Sequence, residues 1–273
     1  MAVAIDPIFG SSLSAAILDH DDLGSAVAYQ IGERLGKSAV QRGQFAQMAR
    51  EAFLAAPDLV EVASHDLRWI AVHDPAVTRL LPPLLDYKGY IALQAFRVSN
   101  WLWNNNRFDL AFLLQGESST SLQVSIHPSA RIGTSVFLDH ATGIVVGAFV
   151  DIGDEVTIMQ NVTVGRKEAL VRRAPRIGRR VLLSSGATIL GNINVGDSAK
   201  IGAGAVVMTD VPAGCTAVGV PAHLTNCPEE GVAGLDLFMD LPRDWGADCP
   251  GRGAIIDFSD SPCGFQPGRL FHR

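Results

Sequence analysis

Residues 126–162 read IHPSARIGTSVFLDHATGIVVGAFVDIGDEVTIMQNV, and an aliphatic side chain returns there at every sixth position: Ile126, Ile132, Leu138, Ile144, Val150, Val156 and Val162. After an interruption the count resumes in a new phase at Ile177, Leu183, Ile189, Val195, Ile201 and Val207, with glycine directly following at 133, 178, 196 and 202. If about a third of residues were Ile, Leu or Val, thirteen hits without a miss would arise by chance about once in a million trials, so the repeat belongs to the fold.

A period of six fits neither the 3.6-residue turn of a helix nor the alternation of a strand. It predicts a parallel β-solenoid, in which each hexad supplies one short strand and one corner and the aliphatic side chain fills the narrow interior. Small or β-branched residues four places after the aliphatics support this: Ala130, Val136, Thr142, Ala148, Val181, Ala187, Ala199 and Ala205.

At 273 residues the chain has room for this solenoid and one smaller domain. A net charge of -6 argues against general nucleic-acid binding. No apolar stretch reaches the length of a membrane span, and Met1 to His20 lacks a secretory signal's basic start and long apolar centre, so the expected compartment is the cytoplasm. Cys215, Cys227, Cys249 and Cys263 contain no CxxC, and no paired histidine spacing accompanies them. A zinc site is not expected, and the thiols are read as reduced.

Residues 1–118 read as a helical domain. Leu23, Val27, Ile31 and Leu35 keep an i, i+4 stripe. Phe45, Met48, Phe53 and Leu54 mark a second helix, and Leu59, Val62, Leu67 and Ile70 a third. Asp74-Pro75 and Leu81-Pro82-Pro83 are expected to break helices, and an amphipathic helix is predicted over Lys88 to Asn104. The Ser/Thr-rich run Glu117 to Ser121 marks the boundary to the solenoid, 119–224. An excursion at 165–176 interrupts the solenoid, with Arg166, Lys167, Arg172, Arg173 and Arg176 around Ala169, Leu170 and Val171. Residues 225–273 lose all periodicity, and Pro228, Pro242, Pro250, Pro262 and Pro267 predict an irregular tail. The fold class is thus α+β, a helical domain followed by a β-helix and a tail.

Leu138-Asp139-His140-Ala141-Thr142-Gly143 places a carboxylate beside an imidazole on one coil. A neutral histidine is the usual general base for a hydroxyl or amine nucleophile. Adjacent positions on a strand point to opposite faces, so the two side chains need not touch. From these residues alone, a general base and a solvated corner histidine are both open readings.

LDHATGIVV, residues 138–146, resembles the signature of the serine O-acetyltransferases. The resemblance extends upstream through Asp74-Pro75-Ala76-Val77, Tyr87-Lys88-Gly89-Tyr90, Leu93-Gln94-Ala95-Phe96-Arg97, Trp101-Leu102-Trp103-Asn104 and Ile126-His127-Pro128. Downstream it takes in Ile189-Leu190-Gly191-Asn192-Ile193, Ala199-Lys200-Ile201-Gly202-Ala203-Gly204 and Gly219-Val220-Pro221-Ala222, covering roughly residues 20–225. It implies a left-handed hexapeptide coil with three hexads per turn, a little over four turns in all. It implies transfer of an acetyl group from acetyl-CoA to the serine hydroxyl by direct attack, with no metal. His140 would be the general base, Asp139 and Asp74 would hold the substrate's amino group, and Arg173 its carboxylate. Acetyl-CoA would lie between neighbouring solenoids against Ser185, Gly186, Ala187, Ala203, Gly204 and Ala205, whose small size lets a pantetheine arm approach the backbone. The resemblance also implies a homotrimer or a dimer of trimers.

The chain departs from that family at defined points. Ser125 stands where the family has the aspartate that pairs with the catalytic histidine, and Ala174 where it has a second histidine near the substrate carboxylate. The family's glycine-rich loop is here Arg166 to Arg173, and its small coil near the cofactor is Leu183-Ser184-Ser185-Gly186. Two readings follow: an acetyltransferase acting on serine or a related small hydroxy or amino acceptor, and an impaired or non-catalytic relative serving as a regulatory or assembly subunit. The chain ends at Arg273 where the family has a small apolar residue that enters the next enzyme, a sulfhydrylase, so that complex is expected to be absent or weak.

Overall fold

A computed structural model describes residues 10–167 and 173–228. Arg172, the apolar group 169–171, Cys249, Cys263, the tail from 229 and the Arg273 terminus lie outside the described residues, and with them the sulfhydrylase expectation.

Helices fill the first part of the chain. After the short turns Gly10–Leu13 and Ser14–Leu18 come α1 (Leu23–Leu35), α2 (Ala39–Ala55), α3 (Asp58–His73), α4 (Leu81–Asp86), α5 (Lys88–Asn104) and α6 (Phe108–Leu122). Asp22 starts α1 with a capping box, accepting from the Ser25 N–H at 2.7 Å, and Ser38 caps α2 by accepting from the Gln41 N–H at 3.2 Å. Three sequence expectations change here. Pro82 and Pro83 open α4 instead of breaking a helix, because proline lacks only an N–H that the first turn leaves unpaired anyway. Leu54, placed in the stripe of α2, is 83% exposed. Helix α5 is not amphipathic over its first two-thirds: every residue from Gly89 to Ser99 is buried. It is the central helix, packed against α1, α2, α3 and α6 and against the strands Val124–Ile126 and Phe137–Leu138.

Helix α6 runs through the Ser/Thr-rich segment, and the chain turns into the solenoid at Gln123, whose φ is 60°. The hydroxyls there bond to backbone carbonyls, Thr120 to Gly116 at 2.9 Å and Ser118 to Val124 at 3.0 Å, which makes them compatible with the last helical turns.

The solenoid has three parallel sheets. The first holds Val124–Ile126, Ile144–Val146, Thr163–Gly165, Thr188–Leu190 and Val206–Val207. The second holds Arg131–Ile132, Asp151–Ile152, Arg176–Ile177 and Asn194–Val195. The third holds Phe137–Leu138, Thr157–Ile158, Leu182–Leu183, Lys200–Ile201 and Thr216–Val218, closed by the antiparallel His223–Thr225. Pairing shows where the regular turn of eighteen residues is kept and where it is altered. Leu183 faces Ile201 and Ile189 faces Val207, a regular turn apart, but Leu138 faces Ile158, two residues more. The unbroken count of sixes from 126 to 162 therefore hides a two-residue insertion between Leu138 and Val146. It stays invisible because each corner buries two aliphatics two residues apart. Ile144, Val150, Val156 and Val162 are wholly inside, and so are Val146, Ile152, Ile158 and Val164, which continue the strand positions.

A buried ion-pair network joins the two parts. Asp66 of α3 accepts on Oδ2 from Arg97 Nη2 at 2.7 Å, Arg97 Nε at 3.0 Å and Gln94 Nε2 at 3.1 Å, and on Oδ1 from the Val136 N–H at 3.0 Å. Arg97 also donates to the carbonyls of Ile132 at 3.2 Å and Gly133 at 2.8 Å, so one carboxylate and one guanidinium tie α3 and α5 to the first coil.

At the far end Cys215 and Cys227 form a disulfide, which corrects the expectation of reduced thiols at these two positions. The hairpin register brings the two close: Thr216 pairs with Thr225 and Val218 with His223, which puts Cys215 opposite Asn226, the chain neighbour of Cys227. Among the described residues no helix is long and apolar enough to cross a membrane, and no group of three or more His, Cys, Asp or Glu could hold a metal ion.

Candidate functional site

The two-residue insertion is where the Asp-His pair sits. After Leu138 the chain makes two very tight turns: the Ala141 N–H donates to the Asp139 carbonyl at 2.5 Å and the Thr142 N–H to the His140 carbonyl at 2.7 Å. His140 has a φ of 55° and Ala141 one of 57°. Left-handed backbone at a non-glycine residue costs on the order of 1–3 kcal/mol, and such strain gathers where a side chain must be aimed. The turns lift His140 out of the coil, its side chain 74% exposed, with Asp139 partly covered behind it and Oδ1 3.6 Å from Nε2. The strand rule that would separate neighbours does not apply in a bulge, and the two side chains do meet.

The helical domain supplies the floor. Asp74 caps the end of α3, its Oδ1 accepting from the Ala76 N–H at 2.8 Å and its Oδ2 from the Tyr87 hydroxyl at 2.9 Å. Burial, reinforced by Asp74, pushes the Tyr87 phenol up to about 12, so it stays protonated and donating. Burial also raises the Asp139 carboxyl above its usual range, with His140 opposing and Asp74 adding to the rise. Two carboxylates that feel one another create a negative potential suited to an ammonium group. His73, next to Asp74, stacks on Trp69 with ring centroids 3.6 Å apart, and burial lowers its pKa.

Sequence reading assigned no role to Tyr87, Lys88 or Gly89, although all three lie in a segment that resembled the family. Lys88 Nζ donates to Thr142 Oγ1 and, at 3.4 Å, to Gln123 Oε1, which pins the far side of the bulge. Gly89 lets α5 press on the bulge: a Cβ there would overlap the Leu138 carbonyl oxygen and lie 3.1 Å from Ala141 Cβ. No pattern in the sequence distinguishes this glycine from a casual one, because the partner is a backbone carbonyl some fifty positions away.

The predicted cofactor residues share the edge of the solenoid that carries His140. Gly143, Asn161, Gly186 and Gly204 stack there in successive turns, all with positive φ. The Gly204 N–H donates to the Ser185 carbonyl and the Gly186 N–H to the Gln160 carbonyl, each at 2.9 Å. Ala203 and Gly204 are exposed and Ser185 and Gly186 partly so. Ala187 and Ala205 are wholly buried and their N–H groups bond to Ser184 and Gly202, so these two fill the interior and offer no surface to a ligand.

Two predicted residues are not bonded to His140 among the described residues. Ser125, on the strand opposite Val145, accepts from Gln115 Nε2 at 3.3 Å, and no hydrogen bond joins it to His140 among the described residues. Arg173 lies at a different edge, between the first and second sheets, where it lines a groove of about 550 Å³ with Ala174, Arg176 and Asn192. A single chain therefore carries the Asp-His pair and the arginine on separate edges of the prism.

The N-terminal region of the chain, residues 1–95, matches a family model described as "Serine acetyltransferase, N-terminal". Over 233 residues the chain is 42% identical to the serine acetyltransferase of Salmonella typhimurium, with 85% of each covered. Serine acetyltransferase from Brucella abortus in complex with coenzyme A superimposes at a TM-score of 0.80 with 40% identity, covering 82% of this chain and 90% of that one. Soybean serine acetyltransferase complexed with serine gives a TM-score of 0.79 at 41% identity, covering 82% of this chain and 93% of that one.

Proposed function

Because the chain belongs to the serine acetyltransferase family, we propose that it transfers the acetyl group of acetyl-CoA to the hydroxyl of L-serine, forming O-acetyl-L-serine in the cytoplasm for cysteine biosynthesis. The observation that carries this reading is the exposed His140, backed by Asp139, on a strained bulge at the edge shared with Gly186 and Gly204. The ring nitrogen not turned to Asp139 is open to a ligand and takes the serine hydroxyl proton as the oxygen attacks the thioester carbonyl. The tetrahedral adduct then collapses, the C–S bond breaks, and the imidazolium returns the proton to the departing CoA sulfur. Asp74 and Asp139 hold the serine ammonium group. Acetyl-CoA runs along the edge of stacked glycines, where Ser185, Gly186, Ala203 and Gly204 leave its pantetheine arm close to backbone.

Arg173 reaches the same serine only from another copy of the chain, which supports a homotrimer, or a pair of trimers, with sites between solenoids. A second reading, an impaired relative with a structural or regulatory role, is favoured by one observation: Ser125 is bonded to Gln115 and brings no charge to His140. A carboxylate behind a catalytic histidine is worth about 10⁴ in rate in a serine protease triad. Here Asp139 is the carboxylate at hand.

Release of free CoA by the purified chain, with L-serine and a panel of small hydroxy and amino acceptors, separates the readings. Turnover on serine that falls by about 10² to 10⁴ in His140→Ala supports the enzyme. A further rise in the double variant Ser125→Asp/Ala174→His would measure what the replacements cost. No turnover on any acceptor by the unaltered chain would favour the second reading.

A further inference from the structure

The groove at the second edge contains more positive charge than one arginine. Arg131, Arg173 and Arg176 line it together with Asp151, Asn192 and Asn194. Arg131 is committed: its Nη2 pairs with Asp151 Oδ2 across the adjacent strands Arg131–Ile132 and Asp151–Ile152. That pairing cancels the one carboxylate in the groove. Arg176 is in register with Asp151 on one neighbouring strand and with Asn194 on the other, yet neither the Arg173 nor the Arg176 side chain makes a hydrogen bond or ion pair among the described residues. Arg179, by contrast, turns away to Asp154 at 3.4 Å and Glu155 at 3.9 Å. Two guanidiniums left without an anion, beside two carboxamides that can donate, form a site for a carboxylate.

Of the two arginines, Arg176 is the better placed. It stands on a strand held in register on both sides, whereas Arg173 lies outside any strand, three residues earlier within the 165–176 excursion, and a group on a regular element is held more firmly than one on a loop. Between them Ala174 is buried and contributes no donor.

We propose that Arg176 is a specificity-determining residue that, with Arg173, binds the carboxylate of the acceptor amino acid and so makes the protein select acceptors with a free carboxylate over their amides. The proposal rests on the acetyltransferase reading above and names a residue that reading does not use.

The test compares the full chain with Arg176→Gln and Arg176→Lys, measuring kcat and KM for L-serine, for L-serinamide and for acetyl-CoA, after size-exclusion chromatography shows an unchanged assembly. In Arg176→Gln the KM for serine is expected to rise about tenfold or more, the size of one lost charged hydrogen bond. The KM for serinamide and for acetyl-CoA stays within twofold. Arg176→Lys falls between, since lysine keeps the charge and loses the planar fork. A serine KM within twofold of wild type in Arg176→Gln, or an equal rise for serine and serinamide, overturns the proposal. If the unaltered chain releases no CoA with serine, the acetyltransferase reading fails by itself and calorimetric titration with serine decides the residue. Binding weakened about tenfold in Arg176→Gln upholds the carboxylate site, and equal binding in both proteins, or none in either, overturns it.

Discussion

Gly89→Ala is the sharpest probe of how the helical domain aims the bulge that carries His140. Gly89 is the second residue of α5, and an added Cβ would overlap the Leu138 carbonyl oxygen while approaching Leu138 Cβ to 3.0 Å and Ala141 Cβ to 3.1 Å. Relieving the two carbon contacts alone to about 3.5 Å requires the helix or the bulge to withdraw by about half an ångström, and the carbonyl demands more. Neither side yields easily: Leu138 pairs with Ile158 in the third sheet, and α5 is buried over its whole first part. Overpacking of this kind costs about 1–3 kcal/mol. For a domain of this size that is a loss of roughly 3–10 °C in melting temperature. Because the displaced atoms flank His140, kcat is also expected to fall by at least about tenfold, given that a shift of about 1 Å near a reacting group can cost 10². Thermal melting and CoA release measure the two effects. Gly116→Ala is the control: nothing lies within 4 Å of its added Cβ in α6, so it should hold or raise stability by up to about 1 kcal/mol. A Gly89→Ala protein that melts and turns over like wild type would falsify the claim that this close approach positions the bulge.

Three further outcomes are expected. Asp66→Asn leaves Arg97 buried without its carboxylate and should lose about 3–5 kcal/mol in urea unfolding, far more than an exposed pair such as Arg107 with Glu51. Burial, aided by Arg166, depresses the His127 pKa, so its stabilising contribution is full above the ordinary histidine value of about 6.5 and is lost as pH falls through the lower native value. Melting temperature should therefore drop on acidification below about pH 6.5, and drop less steeply in His127→Gln; an identical slope in both proteins would exclude His127 as a source. Reduction of the Cys215–Cys227 bond should speed amide exchange at Leu224 and Thr225 while the Ile189 and Val207 strands stay protected, and full alkylation of both thiols in the native, unreduced protein would contradict the pairing.

The sequence by itself determined the architecture. A six-residue aliphatic repeat has one common structural solution, and the helix over Lys88 to Asn104 is where the pattern put it. It also named His140 and Asp139, because a carboxylate beside an imidazole in LDHATG is a local signal. The local sequence could not show that the run at 126–162 contains an insertion at that pair. Both the strand aliphatic and the one two residues before it point inside, so a slip of two residues exchanges one buried column for another and leaves the count intact. Tertiary structure decided that point, and with it the left-handed bulge that brings Asp139 and His140 together. It also decided that Gly89 and Lys88 support the bulge, that Ala187 and Ala205 are interior, that Cys215 meets Cys227, and that Arg173 and Arg176 stand on another edge from His140. The positions on the coil depend on which turn faces which, a relation set by hydrogen bonding between strands eighteen to twenty-five residues apart. The Gly89 and Lys88 contacts instead join a helix to a distant bulge and the Cys215 contact crosses a hairpin, and no motif in the local sequence marks any of them.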